Sequence, residues 1–198
     1  ALLALAGLMA YSALTHRTLY TTTWFDLFDT VSVVKGYARS QAEWDEQMEA
    51  LHDDLLHYHQ LFDIYHHYDG MVNLYDVNAQ AAEAPVAVEK DLYTFLDWCA
   101  NTVYPQTEGA TNIAAGAVLA LWHDAREAGI SDPASAALPD AAALAKAARH
   151  TDFSSVIIDE AASTVQITDP ALRLDVGAIA KGYAVEQVCR AAPDGLLL

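Results

Sequence analysis

Residues 175–186 read Asp-Val-Gly-Ala-Ile-Ala-Lys-Gly-Tyr-Ala-Val-Glu. The pattern predicts that a strand over Leu172–Val176 ends in a glycine turn, and that a helix follows with Lys181 in its first turn. The first turn of a helix has unpaired N–H groups and a partial positive charge, which suit a phosphate group, and a lysine adds a full charge there. The stretch therefore favours a nucleotide-type ligand. A packed strand-to-helix corner without a ligand is the alternative.

This stretch resembles a signature of the FAD:protein FMN transferases, the ApbE-like flavinylation enzymes, which reads D-L/V-G-G/A-I-A-K-G-Y-A-V-D. Three other segments resemble family segments in the same order. Residues 107–122, TEGATNIAAGAVLALW, are similar to T-E/D-G-A-F-D-I-T-x-G-x-L/V-x-x-L-W. Residues 68–78, YDGMVNLYDVN, are similar to Y/W-D-x-x-S-x-L/I-S-x-x-N, and Phe-Asp-Thr at 28–30 stands where the family has M-G-T at the start of its first strand.

The resemblance implies an α+β fold with mixed or antiparallel sheets and covering helices, from which the C-terminal part of the family domain is missing. It also implies Mg²⁺-dependent transfer of the FMN moiety of FAD to a Thr or Ser hydroxyl of a target protein, with release of AMP. Such a phosphoryl-type transfer depends on positioning and on cations that face the developing charge. Mg²⁺ suits it because this ion takes oxygen ligands and keeps phosphates and waters in its shell.

The resemblance assigns roles to individual residues. Lys181 and Asp175 would act in catalysis and contact FAD, the Ala178 carbonyl would be a Mg²⁺ ligand, and Tyr68 would stack on an FAD ring. Judged by residue type alone, Phe28 equally fits the core of a strand, and Tyr68 equally fits a helix end. The remaining FAD contacts implied by the resemblance are Phe28, Ala110, Thr111 and Asn112.

The chain departs from the family pattern in two respects. Thr111 and Asn112 replace the family's Phe-Asp, so a role that needs a carboxylate there is in doubt. The family's Asp and Thr metal ligands would lie beyond Leu198, and for this reason we expect the chain alone to be inactive in transfer. A relative that binds or hydrolyses FAD without transferring FMN is the alternative function.

A histidine-rich stretch offers a third hypothesis, which is a metal-binding domain. Histidine and aspartate four residues apart lie one helical turn from each other and could share a metal ion. The same residues also fit an ordinary polar helix face. The histidines are His52, His57, His59, His66 and His67.

The net charge restricts the possible partners, and the N-terminal residues indicate the location of the protein. A formal net charge of −17 argues against nucleic acid, because phosphate contacts need Lys and Arg. The start of the chain, ALLALAGLMAYSAL, is apolar but too short to span a membrane, so we interpret residues 1–19 as part of a signal-anchor or export segment and residues 20–198 as the transferase domain. This predicts a bacterial protein anchored on the extracytoplasmic side of the cell membrane.

Hydrophobic periodicity predicts the secondary structure. A strand is expected over 24–34, and a capping box at Ser40–Glu43 predicts a helix whose apolar stripe continues to Tyr65. Pro105 is expected to end a helix that starts near Lys90. The other expected elements are an extended piece around 86–88, helices over 113–128 and 139–150, a hairpin over 156–159 and 164–168, and a final strand at 196–198.

Overall fold

The computed structural model describes residues 16–192 and the backbone of residues 196–197. These residues form two units, one made of residues up to 59 together with those from 181 onward, the other of residues 60–180. The apolar stretch predicted as an export segment lies, for residues 1–15, outside the described residues. Among the described residues, no helix combines the length and the apolar character that a membrane crossing requires.

The first unit is built on an antiparallel hairpin of β1 (Thr18–Leu27) and β2 (Thr30–Ala38). The prediction of one strand over 24–34 was wrong, because the chain reverses at Phe28 and Asp29, where φ is 55° and 52°. Two consecutive residues with positive φ make a tight turn whose twist matches that of paired strands. β6 (Leu196–Leu197) pairs antiparallel with the other edge of β2, which confirms a strand at this position.

Helix α1 (Gln41–Leu61) follows the hairpin, and its residue Trp44 contacts β1. Trp44 is buried, its ring stacks on Tyr20 at 5.7 Å, and its indole N–H donates to the Thr22 hydroxyl at 2.8 Å. The helix ends four residues before the predicted Tyr65, because the Asp63 carboxylate accepts the N–H groups of the following residues and so competes with helix continuation. The stripe itself is confirmed by the burial of Trp44, Met48, Leu51, Leu55 and Phe62.

The second unit has a small antiparallel sheet in the order β3-β5-β4, formed by β3 (Val86–Ala87), β4 (Val156–Asp159) and β5 (Thr164–Ile167). This confirms the predicted hairpin and extended piece. Its core is apolar and includes Leu92, Phe95, Leu96, Val165 and Ile167. Its helices are α2 (Leu74–Gln80), α3 (Lys90–Trp98), α4 (Gly116–Ser131) and α5 (Ala141–Ala147).

Further helix boundaries also differ from the expectation. After α3 the chain continues through a π-helical segment, Cys99–Val103, into a further turn at Tyr104–Gln106, so Pro105 does not end the helix. The π segment widens the turn before the proline ring, which would clash with a carbonyl in a regular helix. α4 begins at Gly116 rather than at Ile113, because residues 113–116 bond to another segment instead.

Helix α6 (Ala180–Ala191) follows the 175–179 segment as predicted. Its buried residues Ala180, Ala184 and Val188 repeat every four positions, which is the spacing of one helix face. Lys181 is the second residue of this helix and is exposed. The predicted strand over Leu172–Val176 is wrong, since this segment is extended but joins neither sheet.

Candidate functional site

The extended segment 173–175, which carries the predicted site residue Asp175, is held by the main chain of residues 113–116. The Asp175 N–H donates to the Ile113 carbonyl at 2.8 Å, and the Gly116 N–H donates to the Arg173 carbonyl at 3.0 Å. Ala115 and Arg173 form an isolated parallel bridge. A Cβ at Gly116 would lie 2.5 Å from the Arg173 oxygen, so only glycine allows this approach.

On its other side, this segment is hydrogen-bonded by a side chain. The Asn78 carboxamide accepts the Leu174 N–H at 2.7 Å and donates to the Leu174 carbonyl at 2.9 Å. Alternate residues of the segment therefore bond to opposite neighbours, as in a strand between two partners. Leu172, Leu174 and Val176 are fully buried or nearly so, which leaves the side chains of Arg173 and Asp175 facing away from the core.

The Asp175 carboxylate is half-buried, and its Oδ1 accepts the Gly177 N–H at 2.9 Å. This bond starts the turn that leads to α6. Asp175 also lines an open groove of about 490 Å³ in the second unit, a volume in the range of small-molecule sites. The other residues that line the groove are Ile64, Tyr65, Tyr75, Asn78, Ala79, Gly116, Ala120, His123, Asp124, Arg173 and Leu174.

One wall of the groove is aromatic. The rings of Tyr65 and His123 stack at 4.9 Å, and the Tyr65 hydroxyl lies 3.3 Å from His123 Nδ1. Arg126 Nη2 lies 3.1 Å from the same nitrogen. Tyr65 and Tyr75 keep 50% and 39% of their surface exposed, so flat ring surface remains for a ligand.

The turn before α6 exposes Gly177 and Ala178, and the first turn of α6 exposes Lys181 and Gly182. Ala178 is thus accessible, as a ligand-binding carbonyl requires. The described residues do not by themselves fit Mg²⁺, because no group of three or more His, Cys, Asp and Glu side chains within 16–192 is placed to hold a metal. The Ala178 carbonyl alone falls short of the octahedral shell that Mg²⁺ prefers.

Tyr68 is half-buried and is held through its hydroxyl, which donates to Asp63 Oδ2 at 2.9 Å. Asp63 Oδ1 also accepts the N–H groups of Tyr65 at 2.6 Å and of His66 at 3.2 Å. Burial acts to raise the pKa of Asp63, but the hydrogen bonds from Tyr65, His66 and Tyr68 outweigh it, and the pKa is lowered below its ordinary value of 3.8. Asp63, as a carboxylate anion, therefore fixes the position of Tyr68, the residue predicted to stack on an FAD ring.

The loop with Ala110, Thr111 and Asn112 is shaped by its own hydrogen bonds. The Thr111 N–H donates to the Thr107 hydroxyl at 3.0 Å, and Ala110 is exposed. Asn112 donates from Nδ2 to the Thr151 carbonyl at 2.8 Å and accepts the Ala114 N–H at 2.9 Å. A carboxylate could not make the first of these bonds, so the departure from the family's Asp has a structural use here.

Phe28 belongs to the first unit and lies in the turn between β1 and β2, not at the start of a strand. Its N–H donates to His59 Nδ1 at 3.0 Å, and the two rings meet edge to face at 5.4 Å. Phe28 is half-buried, so part of its ring is available for contact.

The five histidines that suggested a metal site take separate partners. The metal-binding hypothesis therefore receives no support from the described part of the chain. The contacts join His52 to Asp26, His57 to Tyr58, His59 to Phe28, His66 to Asp63 and His67 to Asp76.

The sequence reasoning matched Asn78 and Gly116 to family segments but gave neither a role. It considered Asp63 only as a possible metal ligand beside the histidines, and it missed both the bond from Tyr68 to Asp63 and the Tyr65–His123 pair. A signal existed for Asp63, because an aspartate that follows an apolar helix stripe is a common side-chain acceptor for the next N–H groups. No signal pairs Tyr65 with His123, which lie 58 residues apart.

Comparison with known proteins places these observations in a family. The ApbE family matches residues 25–194. An FAD:protein FMN transferase from Treponema pallidum (strain Nichols) is 36% identical over 117 residues, which are 57% of this chain and 30% of the relative. A protein of the same name from Klebsiella pneumoniae (strain 342) is 31% identical over 113 residues, 57% of this chain and 33% of the relative.

Solved structures show the same fold. The ApbE protein from Thermotoga maritima superposes with a TM-score of 0.70 at 22% identity, over 88% of this chain and 52% of its own. The flavin transferase ApbE from Vibrio cholerae superposes with a TM-score of 0.71 at 18% identity, over 89% of this chain and 53% of its own. The chain thus spans about a third of the curated relatives and about half of the solved ones.

Proposed function

The chain belongs to the ApbE family, and from this membership we propose that it is part of an FAD:protein FMN transferase. The observation that carries the proposal is that the family match, over residues 25–194, includes every segment to which a role is assigned. The α+β architecture and the superposition on ApbE structures support the same fold. FAD is then the substrate, and a second protein is the acceptor.

We propose specific tasks for the described residues from the family resemblance and from the contacts of each residue. Asp175, fixed by its own N–H and carboxylate bonds, would hydrogen-bond the flavin nucleotide, and the exposed Lys181 ammonium would face its phosphates. Tyr68, Phe28 and residues 110–112 would contribute ring and loop contacts to FAD. The groove beside Asp175 offers aromatic surface and hydrogen-bonding groups of the kind a planar heterocycle needs.

The finer chemistry is also part of the proposal. The FMN phosphate of FAD would be joined to a Thr or Ser hydroxyl of the acceptor, the pyrophosphate bond would break, and AMP would leave. Mg²⁺ would supply charge neutralisation on the phosphates, with the Ala178 carbonyl as one ligand. Because the described residues do not complete a magnesium shell, the tasks assigned here concern binding and orientation by the chain itself.

The location of the protein is proposed from its first residues alone. The apolar stretch at residues 1–14 fits part of an export signal or anchor, which would place the domain on the extracytoplasmic side of a bacterial cell membrane.

Transfer can be separated from its alternative in one experiment. The purified full-length gene product is incubated with FAD and Mg²⁺ and with membranes from cells that lack its gene, and covalent flavin fluorescence in a denaturing gel is compared with AMP release. A new fluorescent band together with AMP supports transfer. AMP and free FMN without a band identify an FAD-hydrolysing relative. If neither a fluorescent band nor AMP is formed, the proposal is overturned.

A further inference from the structure

The segment that carries Asp175 depends on one side chain from a distant part of the second unit. Asn78, on α2, makes both of its hydrogen bonds to Leu174, at 2.7 Å to the N–H and 2.9 Å to the carbonyl. The two residues are 96 positions apart, so this contact is not a local turn. Asn78 and Asp175 line the same groove.

We propose that Asn78 is a positioning residue, which sets the direction of the Asp175 carboxylate by fixing both main-chain polar groups of the residue before it. This inference rests on the proposed function, since it assumes that Asp175 contacts FAD. Residues 113–116 bond to Arg173 and Asp175, and Asn78 bonds to Leu174, so the segment is held from both sides. Without Asn78, one side of the segment has no such partner, and rotation about the Leu174 main chain turns Asp175.

Asparagine is the residue type that this position requires. The site needs one acceptor and one donor on a short, planar group, and both must point at the same residue. A carboxylate supplies only acceptors, and a hydroxyl is too short to reach both atoms of Leu174. Leu174 itself is 1% exposed, so water does not readily replace a lost partner there.

The test separates positioning from stability with a matched control. Asn73 lies in the same unit and is fully buried, and its carboxamide also donates to main-chain carbonyls, those of Gln60 at 3.0 Å and His66 at 2.7 Å. Asn78→Leu and Asn73→Leu, each made in the full-length gene product, are compared by melting temperature and by the Kd for FAD from calorimetry. Asn78→Asp, which keeps the bond to the Leu174 N–H, serves if Asn78→Leu does not fold.

We expect both leucine variants to lower the melting temperature, and only Asn78→Leu to weaken FAD binding, by about tenfold. In an Asp175→Ala background the same Asn78 substitution should change the Kd by less than about twofold, because the carboxylate that it positions is gone. Equal weakening with and without Asp175, or an unchanged Kd in Asn78→Leu, overturns the inference. A wild-type protein that does not bind FAD overturns the proposed function instead, so the two failures are distinguishable.

Discussion

The two halves of the stretch 172–182 differ in their hydrogen bonding and in their exposure to solvent. Residues 173–175 are hydrogen-bonded on both sides, and the apolar side chains of Leu172, Leu174 and Val176 are at most 2% exposed. Residues 177, 178, 181 and 182 are exposed. A segment with buried apolar side chains therefore leads into a turn whose polar groups remain available. Substitution of the buried residues should affect stability, and substitution of the exposed Lys181 should affect activity.

The largest effect is expected in the exposed half. Lys181→Ala should remove on the order of 2–4 kcal/mol of transition-state stabilisation, because a preorganised cation opposite the developing charge is lost. The melting temperature should not change, since the side chain is exposed. Flavin transfer by the full-length gene product measures this effect. Lys146→Ala, at an exposed lysine of α5, is the control and should retain full activity, and normal transfer by Lys181→Ala would remove this lysine from the site.

Two glycine substitutions should change the free energy of unfolding in opposite directions. Gly116→Ala should destabilise the protein by about 1–3 kcal/mol, because its Cβ would meet the Arg173 carbonyl at 2.5 Å. Gly182→Ala should stabilise it by roughly 0.5–1 kcal/mol, because the position is helical and nothing lies within 4 Å of the new Cβ. Urea unfolding measures both. The proposed contrast between the halves fails if the two variants change stability in the same direction.

A smaller loss is expected at the loop beside the first half. Asn112→Asp should cost about 1 kcal/mol at neutral pH, since the carboxylate cannot donate to the Thr151 carbonyl that Nδ2 now reaches at 2.8 Å. Below the pKa of the new carboxyl the loss should shrink, because a protonated acid regains a donor. Unfolding curves at neutral and acidic pH measure this change. A loss that is the same at both pH values would show that the Thr151 bond is not its source.

The smallest effect concerns Asp63, which holds Tyr68. The pKa of Asp63 in the folded protein lies below its ordinary 3.8, so its hydrogen bonds contribute stability that is fully present above that value. The contribution should be lost as the pH falls from 3.8 through the folded pKa. In Asp63→Asn this part of the acid dependence should be absent. Identical acid unfolding profiles for the variant and the wild type would contradict the assignment.

Sequence patterns predicted what depends on near neighbours. The stripe from Trp44 to Leu55 and the hairpin of β4 and β5 followed from periodicity, and the segment with Asp175 and Lys181 followed from its resemblance to the family. The hairpin at Phe28 was missed because Phe-Asp is not among the residue pairs that usually adopt positive φ. The sequence of residues 172–176 is typical of a strand. On one side, however, the segment is hydrogen-bonded by the side chain of Asn78 and not by a second strand.

Only the site residues that lie within the family motifs could be predicted from the sequence. Tyr68 and Asn112 were named as FAD contacts, but their bonds to Asp63 and to Thr151 depend on tertiary contacts that one sequence does not reveal. For the same reason, the role of Asn112 as a donor became visible only in the fold. The motif predicts which residues matter, and the structure shows what holds them.

Calorimetric titration of FAD into the full-length gene product, with Mg²⁺ present, tests the central claim most directly. We expect saturable binding at one site in the wild type and clearly weaker binding in both Lys181→Ala and Asp175→Asn. The absence of any binding heat in a folded wild-type protein, or equal affinity in all three proteins, would contradict the claim that residues 175–186 bind the flavin nucleotide.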